Sequence, residues 1–352
     1  MSAKKRKDGR KEDKIQLRAI DLFSGCGGLT VGLKLAGFKV VGAAEKEKLA
    51  VETYRRNHRK TKVKHGDIRN LDAAEFRREL KLRRGRLDLL AGCPPCQGFS
   101  SLRTLQGARK VRDKRNDLVF EFLRFVKEFE PKAIMMENVP GLASDHRIES
   151  LCRSLRGMGY SCEFRVIDAA HHGVPQRRRR MILLGGKYGR IPFAPEMKKI
   201  VTVRDAIKGL PHPKESDDPL HRTLARYTVK VARIIRRVPT NGGSRDALSN
   251  RSQLACHVNC DGFNDIYGRM AWDDVAPTIT SGCINPSKGR FLHPRQHRAI
   301  TVREAALLQT FPADYYISLS RGKYPAAEMI GNALPPKFIK AQAKEVARYL
   351  ER

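Results

Sequence analysis

The most informative feature of this sequence is a cysteine in a stiff turn after a short apolar run. The run is Leu87–Ala91, and the turn that follows is the Pro-Pro-Cys-Gln segment Pro94–Gln97. Two prolines fix the backbone before Cys96 and Gly98 frees it afterwards, as a nucleophile that projects into a pocket requires. Cys96 also forms a Cys-x-x-Cys pair with Cys93, so a redox function stays open at this point.

A second chemical feature is the glycine-rich segment Asp21–Gly28, which lies between an apolar run and a helical stretch. Glycines let a backbone approach a ligand closely, and a helix N-terminus offers free N–H groups. Glu45 ends the next apolar run, where an acid can hold ribose hydroxyls, and Asp67 follows a third, where it can accept from an adenine amino group. The glycine spacing fits neither a dinucleotide site nor a P-loop, which favours an adenosine cofactor without a pyrophosphate. An ordinary tight turn is the alternative.

Alternating strands and helices from Arg18 to Gly186 must position these residues. Short apolar runs lie near residues 19–23, 38–44, 63, 87–91, 133–136 and 181–184. This order predicts an α/β fold with a parallel sheet, helices on both faces, and the polar residues above at its carboxyl edge. Residues from about 190 to 297 predict a second, smaller region. Helices are predicted at Thr301–Leu308 and at about Pro336–Leu350, and the second is expected to pack back on the first domain.

Composition points to a globular protein with a polyanionic partner. The chain has 352 residues, eight cysteines and a formal net charge of +33 that is spread along its whole length. Such a charge attracts nucleic acid, although a heavily solvated surface is the alternative. No apolar stretch approaches the length of a membrane helix, no secretory signal is apparent, and the cysteine content favours a reducing interior. Residues 1–18 are expected to form a disordered basic arm, as a phosphate-touching tail or a nuclear address.

Taken in chain order, six segments resemble the motifs of the DNA (cytosine-5) methyltransferase family. They are Asp21–Gly28, Pro95–Gln97, Glu137–Val139, Gln176–Arg180, Arg298–Tyr315 and Gly331–Pro336. The resemblance implies a Rossmann-like S-adenosylmethionine methyltransferase fold with a smaller target-recognition domain. The implied boundaries are 19–187 for the catalytic and cofactor-binding domain, 188–297 for target recognition, and 298–352 for a hinge and a returning helix.

The resemblance also implies the roles of individual residues. The cofactor pocket would contain the glycine-rich segment and several residues at the ends of other elements: Phe23, Ser24, Gly25, Cys26, Gly27, Gly28, Glu45, Asp67, Ile68, Pro95 and Asn332. Phe23 is expected against the adenine ring. The catalytic residues would be Cys96 as nucleophile, Glu137 as proton donor to ring nitrogen 3 of cytosine, Arg180 at the cytosine oxygen and Arg178 as a support of the site.

Residues judged one at a time leave other interpretations open. Glu137 alone could be a helix-capping or ion-paired acid, and the run Arg177–Arg180 alone could be a solvated or phosphate-binding patch. An apolar strand before Glu137 makes a raised pKa plausible. A cationic setting would favour the thiolate form of Cys96.

DNA contacts are expected in two segments. The reacting carbons are inaccessible in a stacked duplex, so the cytosine should be flipped into the pocket. Gln97, Ser100 and Arg103 follow the nucleophile and resemble a loop that closes over DNA, with Gly98 and Gly107 as its hinges. In the target-recognition interval, the flexible turn 241–245 carries Arg245, which could read guanine in the major groove or only touch phosphate.

Three alternative functions remain at this stage. The tRNA branch of the family is the nearest, but its Cys-Phe-Thr signature is absent from this sequence between the arginine motif and the final motifs. A non-catalytic DNA-binding relative is the second, although intact Cys96 and Glu137 argue against it. A redox protein that uses Cys93 and Cys96 is the third.

The partners follow from the resemblance. Double-stranded DNA is the expected substrate, and a cognate restriction endonuclease acting on the same site is the expected context. A monomer with a cytoplasmic, nucleoid-associated location and no membrane contact is predicted. No metal is predicted, because Cys256, His257 and Cys260, with Cys283, His293 and His297 nearby, fit no paired zinc spacing.

Overall fold

A seven-stranded sheet organises the chain. The computed structural model describes residues 16–95, 117–249, 253 and 265–352. The strands are β1 (Arg18–Leu22), β2 (Lys39–Glu45), β3 (Lys62–His65), β4 (Leu89–Gly92), β5 (Ala133–Asn138), β6 (Ser161–Asp168) and β7 (Arg179–Gly186). Their spatial order is β3-β2-β1-β4-β5-β7-β6, and β7 is antiparallel to both of its neighbours. The α/β class and the Rossmann-like fold are confirmed, but the prediction of a wholly parallel sheet is wrong at β7. The chain reaches β7 from β6 without a crossover helix, and two strands joined that way run in opposite directions.

Eleven α-helices accompany these strands in the described ranges. They are α1 (Gly28–Leu35), α2 (Lys48–Asn57), α3 (Ala73–Glu79), α4 (Leu118–Phe129), α5 (His146–Gly157), α6 (Val203–Ile207), α7 (Pro219–Arg222), α8 (Val229–Arg237), α9 (Val302–Leu308), α10 (Lys323–Asn332) and α11 (Pro336–Leu350). Side-chain hydrogen bonds to the backbone determine where several of these helices begin. The Asp145 carboxylate accepts from Arg147 N before α5, and Thr301 with Glu304 forms a capping box before α9. None of the helices described here is long and apolar enough to cross a membrane.

Two apolar layers cover the two faces of the sheet. Neighbouring residues of a strand point to opposite faces, so Leu90 joins the layer of α3, α4 and α5, while Leu89 and Ala91 join the layer of α1 and α11. Strands buried on both faces explain the continuous apolar runs of the sequence. The carboxyl ends of β1, β2, β4 and β5 are therefore held at one edge of a rigid sheet.

Helices α1 and α11 make close contact although they lie at opposite ends of the sequence. A Cβ placed at Gly32 would lie 2.5 Å from Ile339 Cβ and 2.7 Å from Pro336 O, so only glycine permits this approach. Leu29 and Leu33 share an apolar cluster with Phe338 and Ile339. The last helix is thus part of the sheet's covering layer.

The smaller region has its own apolar cluster. Ile234 and Ile235 of α8 and Val238, which follows the helix, pack with Tyr267, Leu292 and Ala299. At the other end of the chain, Leu17 is buried and β1 begins at Arg18, so the predicted arm 1–18 overlaps the folded part by two residues. The remaining domain boundaries stay predictions.

Candidate active site

The antiparallel register of β5 and β7 brings the glutamate motif against the arginine motif. Glu137 lies opposite Ile182, and Arg180 is two residues from Ile182 on the same face of the sheet. Arg180 Nε lies 2.9 Å from Glu137 Oε1, and the two side chains are only 16% and 10% exposed. A parallel β7 would have separated these residues, so the antiparallel strand builds this ion pair.

Burial and nearby cations act on Glu137 in opposite directions. Burial is the largest cause and raises the pKa of the Glu137 carboxyl, while the charges of Arg180 and Arg178 lower it. The balance leaves the pKa above its usual range. A carboxyl in this setting can donate a proton to a base that enters the site.

Asn138 ties this strand to the proline turn that precedes Cys96. Its Nδ2 donates to Pro94 O at 2.9 Å, and its Oδ1 accepts from Val139 N. The sequence motif contained Asn138, but only the fold gives it this positioning contact. Burial raises the pKa of the neighbouring Cys93 thiol, and the charge of Glu137 raises it further, so Cys93 is a thiol at neutral pH. The predicted residues Cys96, Gln97, Ser100 and Arg103 lie outside the described residues, as do the hinges Gly98 and Gly107.

The buried side chain of Arg178 connects the start of the arginine motif to the C-terminal part of the chain. Its guanidinium donates to three backbone carbonyls, those of Ile279, Gly331 and Ala333, and burial lowers its pKa. A Cβ at Gly331 would lie 2.2 Å from the backbone of Thr280, so the close approach of these segments requires glycine. Arg178 thus contacts the backbone of the C-terminal segments.

A buried amide pair makes a similar connection. Gln176 Nε2 donates to Leu308 O and to Gln309 Oε1, while its own Oε1 accepts from Ile279 N. Gln309 Nε2 donates to Ile330 O. Gln309 belonged to a motif segment but was not predicted as a site residue, because its partners are more than twenty residues away in sequence.

The glycine-rich segment forms a strained turn beside Glu45. Phe23 has φ of 60°, which is rare for a residue with a side chain and is often associated with functional sites. Glu45 Oε2 accepts from Gly25 N at 2.7 Å, and Oε1 accepts from Lys46 N and Glu47 N. A carboxylate has about four acceptor positions, so about one remains for a ribose hydroxyl.

Polar atoms without partners line the same turn. Ser24 Oγ and Asp21 Oδ1 are buried and have no hydrogen-bond partner among the described residues. Burial raises the pKa of Asp21 to about 8, while the hydrogen bond from Thr30 lowers it. A Cβ at Gly25 would meet nothing within 4 Å. This turn therefore has open space and unsatisfied donors and acceptors, as a polar cofactor requires.

Close packing within the protein explains why glycine is needed at positions 27 and 28. A Cβ at Gly27 would lie 2.6 Å from both His58 Nε2 and Tyr315 Oη, and one at Gly28 would lie 2.4 Å from Leu334 O. These glycines therefore permit close packing against other parts of the protein, and their contact with a cofactor remains a prediction. Tyr315 Oη donates to Cys26 O at 2.6 Å, and burial raises the pKa of the Cys26 thiol to about 12. His58 and Tyr315 were not predicted, since nothing in their local sequence reveals this contact.

The other predicted cofactor residues lie in varied surroundings. Hydrogen bonds from Arg69, the largest cause, lower the pKa of Asp67, so its carboxylate already has a cationic partner. Ile68 is buried, whereas Pro95 and Asn332 are exposed. Their cofactor roles remain predictions.

Arg245 differs from the side chain expected on a flexible turn. It begins a short 3-10 helix, Arg245–Ala247, and is only 3% exposed. A Cβ at Gly243 would lie 2.2 Å from Pro239 O, so the turn is packed against its neighbours. The expectation of a side chain that extends towards DNA is wrong in this conformation, because the fold buries it.

No group of three metal-binding side chains occurs within the described ranges. Cys256, His257 and Cys260 lie outside them. Cys283 is buried, and burial raises its pKa to about 12. His293 Nδ1 already accepts from Arg295 N and Gln296 N.

Comparison with known proteins extends over nearly the whole chain. The Type II methylase M.HgiDII of Herpetosiphon aurantiacus is 36% identical over 347 residues, which cover 94% of this chain and 95% of that protein. The Type II methyltransferase M.PspPI of a Psychrobacter strain is 33% identical, over 94% of this chain and 79% of its own length.

Solved structures agree with the fold. An Escherichia coli structure, assigned as a prophage-encoded DNA modification methyltransferase, has a TM-score of 0.75 at 25% identity and covers 96% of this chain and 100% of its own. The Dnmt2 methyltransferase of S. pombe has a TM-score of 0.60 at 20% identity, with 96% and 100% covered, and shares the fold. A sequence model described as C-5 cytosine-specific DNA methylase matches residues 17–348. The chain belongs to the C-5 cytosine-specific DNA methylase family and is a DNA cytosine methyltransferase.

Proposed function

We propose that this enzyme methylates carbon 5 of a cytosine flipped out of double-stranded DNA, through a covalent adduct with Cys96 and with S-adenosylmethionine as methyl donor. The observation that carries the proposal is the 2.9 Å contact of Asn138 Nδ2 with Pro94 O. It joins the strand that bears Glu137 to the turn that leads, two residues later, to Cys96. A nucleophile and a proton donor acting on one ring need this proximity.

The chemistry assigns one task to each residue. The Cys96 thiolate adds to carbon 6 of the cytosine, a C–S bond forms, and ring electrons move to nitrogen 3. Glu137 donates a proton there, and Arg180, beside it, interacts with the cytosine oxygen. Carbon 5 becomes nucleophilic and accepts the methyl group, and the electrons of the broken sulfur–methyl bond stay on sulfur, which leaves S-adenosylhomocysteine. A base then removes the carbon 5 proton, the C–S bond breaks, nitrogen 3 returns its proton to Glu137, and the thiolate is regenerated.

The residues of the glycine-rich turn fit an adenosine cofactor. Ser24 Oγ and Asp21 Oδ1 are buried polar atoms without partners in the described residues, and open space lies beside Gly25. Glu45 retains about one acceptor position for a ribose hydroxyl, and Phe23 lies next to these residues in the strained turn. When bound, S-adenosylmethionine supplies an electrophilic methyl group.

The biological context is proposed from the relatives. Their names describe Type II methylases and methyltransferases, which suggests that this enzyme protects DNA from a restriction endonuclease of the same specificity. We propose that it acts as a monomer in the cytoplasm on nucleoid DNA. Light scattering of the purified protein would test the monomer, and digestion of plasmids from expressing cells by candidate endonucleases would test protection.

The decisive experiment is covalent trapping on duplex DNA. Genomic DNA amplified with 5-fluorocytosine is incubated with the enzyme and S-adenosylmethionine. The fluorine on carbon 5 cannot leave as a proton does, so the adduct should persist as a slower band in a denaturing gel. Cys96→Ser should abolish the band, and Cys93→Ser, the matched control, should retain it, because the raised pKa of the half-buried Cys93 thiol keeps it protonated at neutral pH.

Two outcomes would contradict the proposal. A trapped band that survives Cys96→Ser would reject the nucleophile assignment. Methyl transfer from labelled S-adenosylmethionine to tRNA, with none to genomic DNA, would place the chain's activity on RNA instead.

A further inference from the structure

Two cysteine side chains meet at the edge of the sheet, outside the candidate active site. Cys152 lies on α5 and Cys162 lies on β6, the last strand in the spatial order. Their Sγ atoms are 2.8 Å apart, and the two residues are 2% and 4% exposed. Carbon atoms, which are smaller than sulfur, pack at about 3.5–4.0 Å when they are not bonded to each other. The two sulfurs are therefore closer than ordinary packing alone would bring them.

The local fold brings these cysteines together over a short stretch of chain. Helix α5 leads into β6 through a tight turn, in which Gly159 has φ of 83°, a value that favours glycine. Tyr160 N donates to Leu155 O, which holds the start of β6 against the end of the helix. Cys152 and Cys162 thus face each other within the apolar layer of α3, α4 and α5. Their contact belongs to the helix–turn–strand unit itself.

The surroundings give the two thiols different acidities. The Cys162 thiol donates to Cys152 Sγ, and this hydrogen bond is the largest cause that lowers the pKa of Cys152. The charge of Arg156, one turn further along α5, lowers that pKa as well, whereas burial raises it. The same hydrogen bond, followed by burial, raises the pKa of Cys162. Cys152 is therefore the thiol that ionises first and can act as a nucleophile.

We propose that Cys152 and Cys162 form an intramolecular disulfide that fastens α5 to β6 when the protein meets a low-molecular-weight disulfide such as oxidised glutathione. The contact between the two sulfurs carries the inference. It is independent of the proposed function, since the proposed methyl transfer uses neither sulfur.

The bond forms in two exchange steps. The Cys152 thiolate attacks one sulfur of the oxidant, the S–S bond of the oxidant breaks, and one small thiolate leaves. Cys162 then gives up its proton and displaces the second small thiol from the mixed disulfide. Two protein thiols are oxidised to one disulfide, and one small disulfide is reduced to two thiols.

Burial controls both the formation and the persistence of this bond. An oxidant reaches the sulfurs when α5 separates from β6. Strand β6 has β7 as its one neighbour in the sheet, so this unit can open locally while the other strands stay folded. Once the unit has closed, the disulfide is shielded from reductants. The crosslink also restricts the unfolded chain, which stabilises the native state.

A metal ion is a poorer explanation for this pair. Metal–sulfur bonds of about 2.3 Å at a tetrahedral centre hold two sulfurs about 3.8 Å apart, well beyond the 2.8 Å found here. A third ligand is also lacking, because the part of the chain that the structure describes contains no group of three metal-binding side chains. Oxidation to a disulfide needs only the two sulfurs.

Peptide mapping of the full-length protein tests the bond directly. Samples treated with oxidised glutathione or with dithiothreitol are unfolded in guanidinium chloride with iodoacetamide and EDTA, and are then digested with trypsin. Trypsin places the two cysteines in separate peptides, Ile148–Arg153 and Gly157–Arg165. The oxidised sample should contain these peptides joined by a disulfide, and the reduced sample should contain both in alkylated form. Two unlinked peptides in both samples would overturn the inference, as would a peptide that joins Cys152 to a different cysteine.

Cys26 provides a matched control within the same digest. It is 1% exposed, and its Sγ contacts Met329 O. The peptide that contains Cys26 should be alkylated in both samples. Loss of alkylation at Cys26 to the same extent as at Cys152 would mean that glutathione oxidises buried thiols indiscriminately, and it would overturn the inference.

Thermal unfolding measures whether the bond fastens the helix to the strand. Oxidised wild type should melt about 4 °C above reduced wild type, because a crosslink across a short loop restricts the unfolded chain. Cys152→Ala/Cys162→Ala should show no difference between the two treatments. Equal melting temperatures for oxidised and reduced wild type, or an equal shift in the double variant, would overturn the fastening role.

Discussion

The buried pair of Arg180 and Glu137 should make the stability of this enzyme depend on pH once the arginine is removed. Arg180 Nε lies 2.9 Å from Glu137 Oε1. Burial raises the pKa of Glu137, and Arg180 is the larger of two charges that oppose this rise. In Arg180→Met the larger opposing charge is absent and only that of Arg178 remains, so the carboxyl should prefer its protonated form still more strongly.

The distance sets the size of the effect. At 2.9 Å and an effective dielectric constant of about 20, the attraction amounts to about 6 kcal/mol. Removal of one partner from a buried pair costs about 3–5 kcal/mol, since the remaining charge is left without compensation. At acidic pH a protonated Glu137 carries no charge, and the cost should fall to about 1.5 kcal/mol for one lost hydrogen bond.

The direction in which the free energy of unfolding changes with pH follows from proton binding. Folded Arg180→Met holds a proton on Glu137 at pH values where the unfolded chain has released it. The free energy of unfolding must then fall as pH rises from about 4.5 through the raised pKa. The variant should therefore lose about 3–5 kcal/mol relative to wild type at pH 8 and about 1.5 kcal/mol at pH 5.

Urea unfolding followed by circular dichroism at both pH values would measure the difference. Arg179→Met is the matched control, because Arg179 is exposed, and its effect should stay within about 0.5 kcal/mol at either pH. If Arg180→Met is destabilised equally at pH 5 and pH 8, Glu137 does not take up a proton, and its assignment as a proton donor loses its physical basis.

Two other substitutions have defined outcomes. Glu45→Ala should weaken S-adenosylmethionine binding by about 1.5–3 kcal/mol in calorimetry, because it removes a charge-assisted hydrogen bond; unchanged affinity would count against the ribose contact. Arg269→Met should lower the free energy of unfolding by about 3 kcal/mol or more in urea, because several buried carbonyls lose their donor; a loss below about 1 kcal/mol would mean that water replaces the guanidinium.

The sequence predicts elements better than the contacts between them. Apolar runs located β1 to β5 and β7 to within a few residues, and the last helix was predicted with the bounds Pro336–Leu350 that the structure has. Strand β6 was missed, because Ser161–Asp168 lies at the edge of the sheet, is only partly buried and so lacks the continuous apolar run of the other strands. The direction of β7 was wrong, since a local pattern carries no information on strand polarity.

In the candidate site, too, the sequence did not reveal contacts between residues that are far apart along the chain. Glycine at positions 27 and 28 was interpreted as space for a ligand, and the sequence did not reveal that Tyr315 and Leu334, far along the chain, pack against these positions. Arg245 was expected at a surface and is buried. Motif order identified Glu137 and Arg180, but their contact depends on the register of two strands, which only the fold determines.

The contact between α1 and α11 imposes an order on biosynthesis. About 300 residues separate the two helices. At about 5–20 residues per second the ribosome needs about 15–60 s to synthesise these intervening residues. During that time Leu29 and Leu33 lack the partners Phe338 and Ile339 that cover them in the native state. The nascent sheet therefore exposes an apolar face that chaperones can bind, and completion of the fold must wait until the last helix has emerged. The native fold should thus form only after α11 has emerged, and a ribosome stalled before Pro336 should hold a chain that proteases cleave readily.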